Sequence, residues 1–165
     1  MPDSFIVNHD NYTDNYIRDI LRSVHSIAIV GASINWKRPS NFVMKYLIQK
    51  GYRVIPVNKN SVGDQIYGRN IYPDLSSVKE TVDMVDIFRP SKEAPQLAEN
   101  SILIGAKVFW MQLELRNDRA AKIAEDAGVK VVMNRCPKIE YARLFGELGW
   151  SGFNTGVISV KKRRT

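Results

Sequence analysis

The residues best suited to chemistry lie in the stretch GASINWKRPS (31–40). Gly31, Ala32 and Ser33 are small enough to let a ligand approach the backbone. Ser33 and Ser40 add hydroxyls, and Lys37 and Arg38 add two adjacent cations. Pro39 suits the first position of a helix, whose unpaired N–H groups and dipole favour an anion. Three or four charge-assisted hydrogen bonds of about 1.5–3 kcal/mol each suffice for the ~8 kcal/mol of micromolar binding. The pattern therefore predicts an anion site, although it matches neither familiar glycine loop. A dinucleotide fingerprint needs glycines where Ser33 and Trp36 stand, and a Walker A loop fails at Trp36.

A second group lies in PVNKN (56–60). NAD-binding domains place Asp or Glu here to accept the ribose hydroxyls, but this chain has Asn58 and Lys59. That disfavours NAD and leaves NADP or a 3′-phosphorylated adenosine open. Arg89, just past a predicted strand and beside Pro90, supplies a further cation. His9 and His25 both precede the anion loop, so neither supports a Ser-His-Asp arrangement. No acid/base pair stands out, which favours a binding module over an enzyme. The lone Cys136 excludes an intramolecular disulfide. Its place before Pro137, between Arg135 and Lys138, would lower its thiol pKa. A mixed disulfide with a ligand thiol is therefore one reading, and a buried inert thiol is the other.

The elements that must position these residues alternate. Short β-branched runs, SIAIV (26–30), RVIPV (53–57), MVDIF (84–88), KVFWM (107–111) and VKVVM (129–133), are separated by amphipathic stretches, the pattern of parallel βαβ units. Thr13 is expected to cap a helix over 14–24, Pro39 to open one stopping at Gly51, and Ser77 with Glu80 to form a capping box. Ser91 is expected to cap a helix to about Ile104, and Asn117 one ending near Gly128. Cys136-Pro137 should open a final helix, and VISV (157–160) is a possible strand. The expected fold is an α/β, Rossmann-like doubly wound, mainly parallel sheet of five to six strands with helices on both faces. A fragment near Tyr67 serves as a short edge strand. The first strand and MVDIF should meet at the order reversal, where such folds bind ligands.

The chain has 165 residues, enough for one domain, and a net charge of +7. The single domain would have its core over about 15–148, with 151–165 as an extension. Lys161, Lys162, Arg163 and Arg164 carry four of the seven charges, a basic tail of the kind that solvated chain ends often bear. No apolar run approaches a membrane span, and no signal peptide is seen at the N-terminus, so the expected compartment is the cytoplasm.

The motifs GAS (31–33), KRPS (37–40), YLIQKGY (46–52), VIPVN (54–58), VDIFRP (85–90), KVFWMQL (107–113) and VVMNRC (131–136) stand in this order. In that register the chain resembles the small stand-alone coenzyme A-binding proteins, which are similar to the Rossmann-like N-terminal domain of the succinyl-CoA ligase alpha subunit. The resemblance implies a coenzyme A or acyl-CoA ligand, with Gly31, Ala32, Ser33, Lys37, Arg38 and Ser40 holding its pyrophosphate. It implies that Pro56, Val57 and Asn58 line an adenosine pocket, that Phe88 and Arg89 close the opposite side, and that Trp110 and Gln112 lie toward the pantetheine arm. The ligase's phosphohistidine has no counterpart, since no His follows His25. This chain also departs from the family pattern at Lys59, often Pro, and at Glu114, often Gly. Two alternatives stay open: an NADP-dependent oxidoreductase, and an adaptor that binds nucleic acid or protein through the basic tail. Nucleic acid is the less favoured partner.

Overall fold

The computed structural model describes residues 6–146; the VISV segment and the basic tail lie outside them. The described residues divide into two compact units, 24–138 and a second formed by 6–23 with 139–146. In the second unit Thr13 caps α1 (Asp14–Ser23), its Oγ1 accepting from the Tyr16 N–H at 3.1 Å. Arg143 donates to Asp14 and to Glu140 there.

The unit over 24–138 contains a five-stranded parallel sheet. Its strands are β1 (Ser26–Val30), β2 (Arg53–Val57), β5 (Met84–Ile87), β6 (Val108–Met111) and β7 (Lys130–Val132), in the order β2-β1-β5-β6-β7. All five residues of β1 are buried, as its continuous apolar run requires of a strand covered on both faces. The first crossover runs from β1 out to β2, and the later ones run from β5 through β6 to β7. Right-handed connections therefore place α2 (Pro39–Gln49) on one face, and α3 (Ala94–Leu103) and α4 (Asp118–Asp126) on the other. Alternate strand residues Ala28, Val85, Phe109 and Val131 pack beneath α3 and α4, with Ala94, Ala98 and Ala124 allowing a close approach. The direction of strand order reverses between β1 and β5, which pair directly.

Three local expectations are corrected. The fragment near Tyr67 is not a sixth strand of the sheet. It is the turn of a separate antiparallel ribbon, β3 (Gln65–Ile66) with β4 (Arg69–Asn70), which leaves five strands in the sheet. Ser77 does not open a helix: Asp74 caps a short 3-10 turn (Leu75–Ser77), and Glu80 pairs with Arg53 instead. Ser91 begins a 3-10 turn (Ser91–Glu93) rather than capping α3, and its hydroxyl donates to the Arg116 carbonyl at 2.8 Å. Polar side chains at turns have several backbone groups within reach, and tertiary neighbours decide among them. The remaining caps fall as expected, including Asn117, whose Oδ1 accepts from the Ala120 N–H at 2.8 Å, and α5 (Pro137–Leu144) opens after Cys136. No helix among the described residues is long and apolar enough to cross a membrane.

Candidate functional site

At the carboxyl ends of β1, β2 and β5 three chain segments converge on Gly31. Its N–H and that of Ala32 both donate to the Val57 carbonyl, at 2.8 and 3.2 Å. Gly31 has φ of 91°, and a Cβ built there would lie 2.8 Å from the Phe88 carbonyl oxygen and 3.1 Å from the Arg89 Cδ. Both the backbone conformation and the space thus require glycine.

From Gly31 the chain runs through a loop held mainly by its own side chains. The Ser33 N–H donates to the Ser40 Oγ at 3.1 Å, the Asn35 N–H to the Ser33 Oγ at 3.1 Å, and the Lys37 N–H to the Asn35 Oδ1 at 3.0 Å. Two amides fix the loop carbonyls: Asn58 Nδ2 donates to Ala32 at 2.7 Å and Asn41 Nδ2 to Ser33 at 2.8 Å. Tyr67, at the tip of the β3–β4 ribbon, donates its hydroxyl to the Asn41 Oδ1. The N–H groups of Ile34, Trp36 and Ser40 have no acceptor among the described residues. Lys37 and Arg38 are exposed and pair with no carboxylate among them; the Lys37 Nζ lies 5.5 Å from the centre of the Trp36 ring. The loop thus offers donors and positive charge with no internal acceptor opposite them, an arrangement that receives anions.

Two cavities flank this point. One, of about 130 Å³, is bordered by Gly31, Val57, Asn58, Lys59, Arg89 and Glu93. The other, of about 470 Å³, runs from Pro39 past Phe88 and Arg89 to Gln112 and Glu114. Arg89 grips Glu93 with two hydrogen bonds, Nε to Oε1 at 3.1 Å and Nη2 to Oε2 at 2.8 Å. That contact, with Lys59 and Lys92 nearby, holds the Glu93 carboxyl below the usual carboxylate range.

The model of the CoA binding domain matches residues 25–142, which span the whole sheet and both cavities. The chain belongs to the CoA binding domain family. An uncharacterized protein of Bacillus subtilis, YneT, is 34% identical over 126 residues, covering 76% of this chain and 92% of that one. A hypothetical protein from Pyrococcus horikoshii of solved structure is 39% identical with a TM-score of 0.79, covering 87% of this chain and 99% of that one. The alpha subunit of acetate–CoA ligase (ADP-forming) I from Pyrococcus furiosus is 34% identical over 87 residues, 50% of this chain but 19% of that one.

In this CoA binding domain, Gly31, Val57, Asn58 and Arg89 share the smaller cavity, and Phe88 and Arg89 share the larger. Ser33, Lys37 and Arg38 lie on the loop that joins β1 to α2. Ala32 and Ser40 are buried in its framework. Pro56 borders neither cavity; it faces the sheet edge, where its carbonyl accepts from the Tyr72 N–H at 3.0 Å. Trp110 is a core residue, its indole donating to the Arg135 carbonyl at 2.8 Å, whereas Gln112 borders the larger cavity. Glu114 has φ of 66°, a conformation for which glycine is the easy choice. Cys136 is buried, as an inert core thiol would be, rather than open to a ligand. His25 sits at the opposite end of β1, where its carbonyl accepts from the Arg53 N–H at 2.9 Å. Asp86 is wholly buried in the middle of β5 with neither carboxyl oxygen bonded, and burial pushes its pKa well above the ordinary value. It borders neither cavity.

The sequence reading missed Asn35, Asn41, Tyr67 and Glu93. Asn35, two residues before Lys37, carried the signal of an Asx turn. Glu93, four residues after Arg89, carried the signal of an i,i+4 ion pair, whereas Asn41 and Tyr67 act across longer separations.

Proposed function

We propose that this CoA binding domain holds coenzyme A or an acyl-CoA non-covalently across the two cavities. The pyrophosphate meets the free N–H groups of the loop together with Lys37 and Arg38, while Gly31, Ala32, Ser33 and Ser40 give the loop its shape. The adenosine end enters the smaller cavity past Val57 and Asn58, with Pro56 stiffening the strand end behind them. The pantetheine arm runs past Phe88 and Arg89 toward Gln112. The observation that carries this reading is the donor-rich, acceptor-free loop standing between two cavities at the order reversal of a parallel sheet.

The chemistry of the smaller cavity supports a phosphorylated ribose over NAD. The Asn58 amide is already engaged with Ala32 and with the Asn60 N–H. The carboxylates at the rim are engaged too, Asp74 by Ser76 and Ser77 and Glu93 by Arg89. The ribose hydroxyls of NAD therefore meet only carboxylates that already have partners, while Lys59 stands ready for a phosphate. Calorimetry with CoA, dephospho-CoA, NADP and NAD tests the reading. CoA is expected to bind most tightly; stronger binding of NAD would reverse the assignment.

A further inference from the structure

Among the described residues, Arg89 is the side chain that the two cavities share. Its stem is pinned: the Cδ rests against Gly31, where a Cβ would come within 3.1 Å of it. In this structure both engaged nitrogens of its guanidinium face the Glu93 carboxylate. Lys37 and Arg38, by contrast, have no such partner among the described residues. The site therefore contains one cation that already holds an oxyanion of its own chain, at the passage from one cavity to the other.

The geometry points to Glu93 as an internal stand-in for a ligand phosphate: its carboxylate occupies the guanidinium fork of Arg89 until a phosphate group entering from either cavity displaces it. This deepens the proposed function and rests on it for the identity of the ligand. A carboxylate and a phosphate present oxygens to the same planar fork. An ion pair exposed as this one is holds weakly, so the exchange is within reach of a doubly charged group. Glu93 thereby sets the affinity of the site and selects against ligands too weakly charged to displace it.

The two roles open to Glu93 predict opposite signs. If it merely positions Arg89, removing its charge weakens binding; if it competes, removal strengthens it. Titration of the wild type, Glu93→Gln, Arg89→Gln and the double variant with CoA, and in parallel with inorganic pyrophosphate, separates them. Glu93→Gln is expected to bind three- to fivefold more tightly, about the fold-change of an exposed pair, and the gain should vanish in the Arg89→Gln background. The Arg89 Nε–H resonance should shift on ligand addition in the wild type, and start near its bound position in Glu93→Gln. Weaker or unchanged binding by Glu93→Gln, or a gain that persists without Arg89, overturns the inference. Preference of the wild type for NAD over CoA overturns the proposed ligand alone, since pyrophosphate still reports on the exchange at Arg89.

Discussion

The two ends of the same parallel sheet are built to different purposes. At the amino ends, buried side chains close every nearby donor. Asp83 Oδ2 accepts from the N–H groups of His25 and Ser26, at 2.8 and 3.2 Å, and Ser26 Oγ donates to the Thr81 carbonyl at 2.8 Å. At the carboxyl ends, side chains fix the loop carbonyls but leave three N–H groups and two cations unmatched. The first end joins β1 to β5 through donors that already have acceptors. The second is shaped firmly by its own amides, yet is electrostatically incomplete. Complementary charge from outside can stabilise only the second.

The contrast is broken most severely by Gly31→Val. A side chain at positive φ costs about 1–2 kcal/mol, and the contact with the Phe88 backbone adds overpacking of about 1–3 kcal/mol. We expect a clear fall in melting temperature together with loss of detectable CoA binding by calorimetry. Asp83→Ala should separate the two ends: the N–H groups of His25 and Ser26 lose their acceptor, at about 1–3 kcal/mol for the buried Ser26 donor and less for the part-buried His25 one. Denaturant unfolding should report that loss, while CoA affinity in the folded fraction stays as in the wild type. Lys37→Ala is the reciprocal change. It should leave the unfolding midpoint within error and weaken CoA about tenfold, the equivalent of one charge-assisted contact, with a shallower salt dependence. The mildest is Tyr67→Phe, which removes the hydroxyl that holds Asn41 and should cost about 1 kcal/mol. Faster amide exchange across residues 33–41 is its expected signature, and unaltered exchange there would show that the ribbon does not support the loop.

Much of the architecture was legible because it rests on local rules. The run from Ser26 to Val30 reads as a strand buried on both faces, Pro39 as a helix start and Asn117 as a cap, since each depends on neighbours a few residues away. The loop cations were equally plain. Hydroxyl and carboxylate assignments were less so: Ser91 and Glu80 took partners that only a folded chain brings near, and Ser77 was captured by Asp74 three residues before it. Ser40, expected to face a ligand, also accepts from the Ser33 N–H and so helps hold the loop closed.

By itself the order of residues determined the alternation of strands and helices, the position of the order reversal, and a basic segment just beyond the first strand. Those follow from hydrophobic period and from the handedness of connections. Tertiary structure alone decided which donors stay unmatched, that Tyr67 and Asn41 brace the loop, and that the local Arg89–Glu93 pair stands between two cavities. Hydrogen bonds and charges act over a few ångströms of space, and residues far apart in the chain come within that range only once the sheet has assembled.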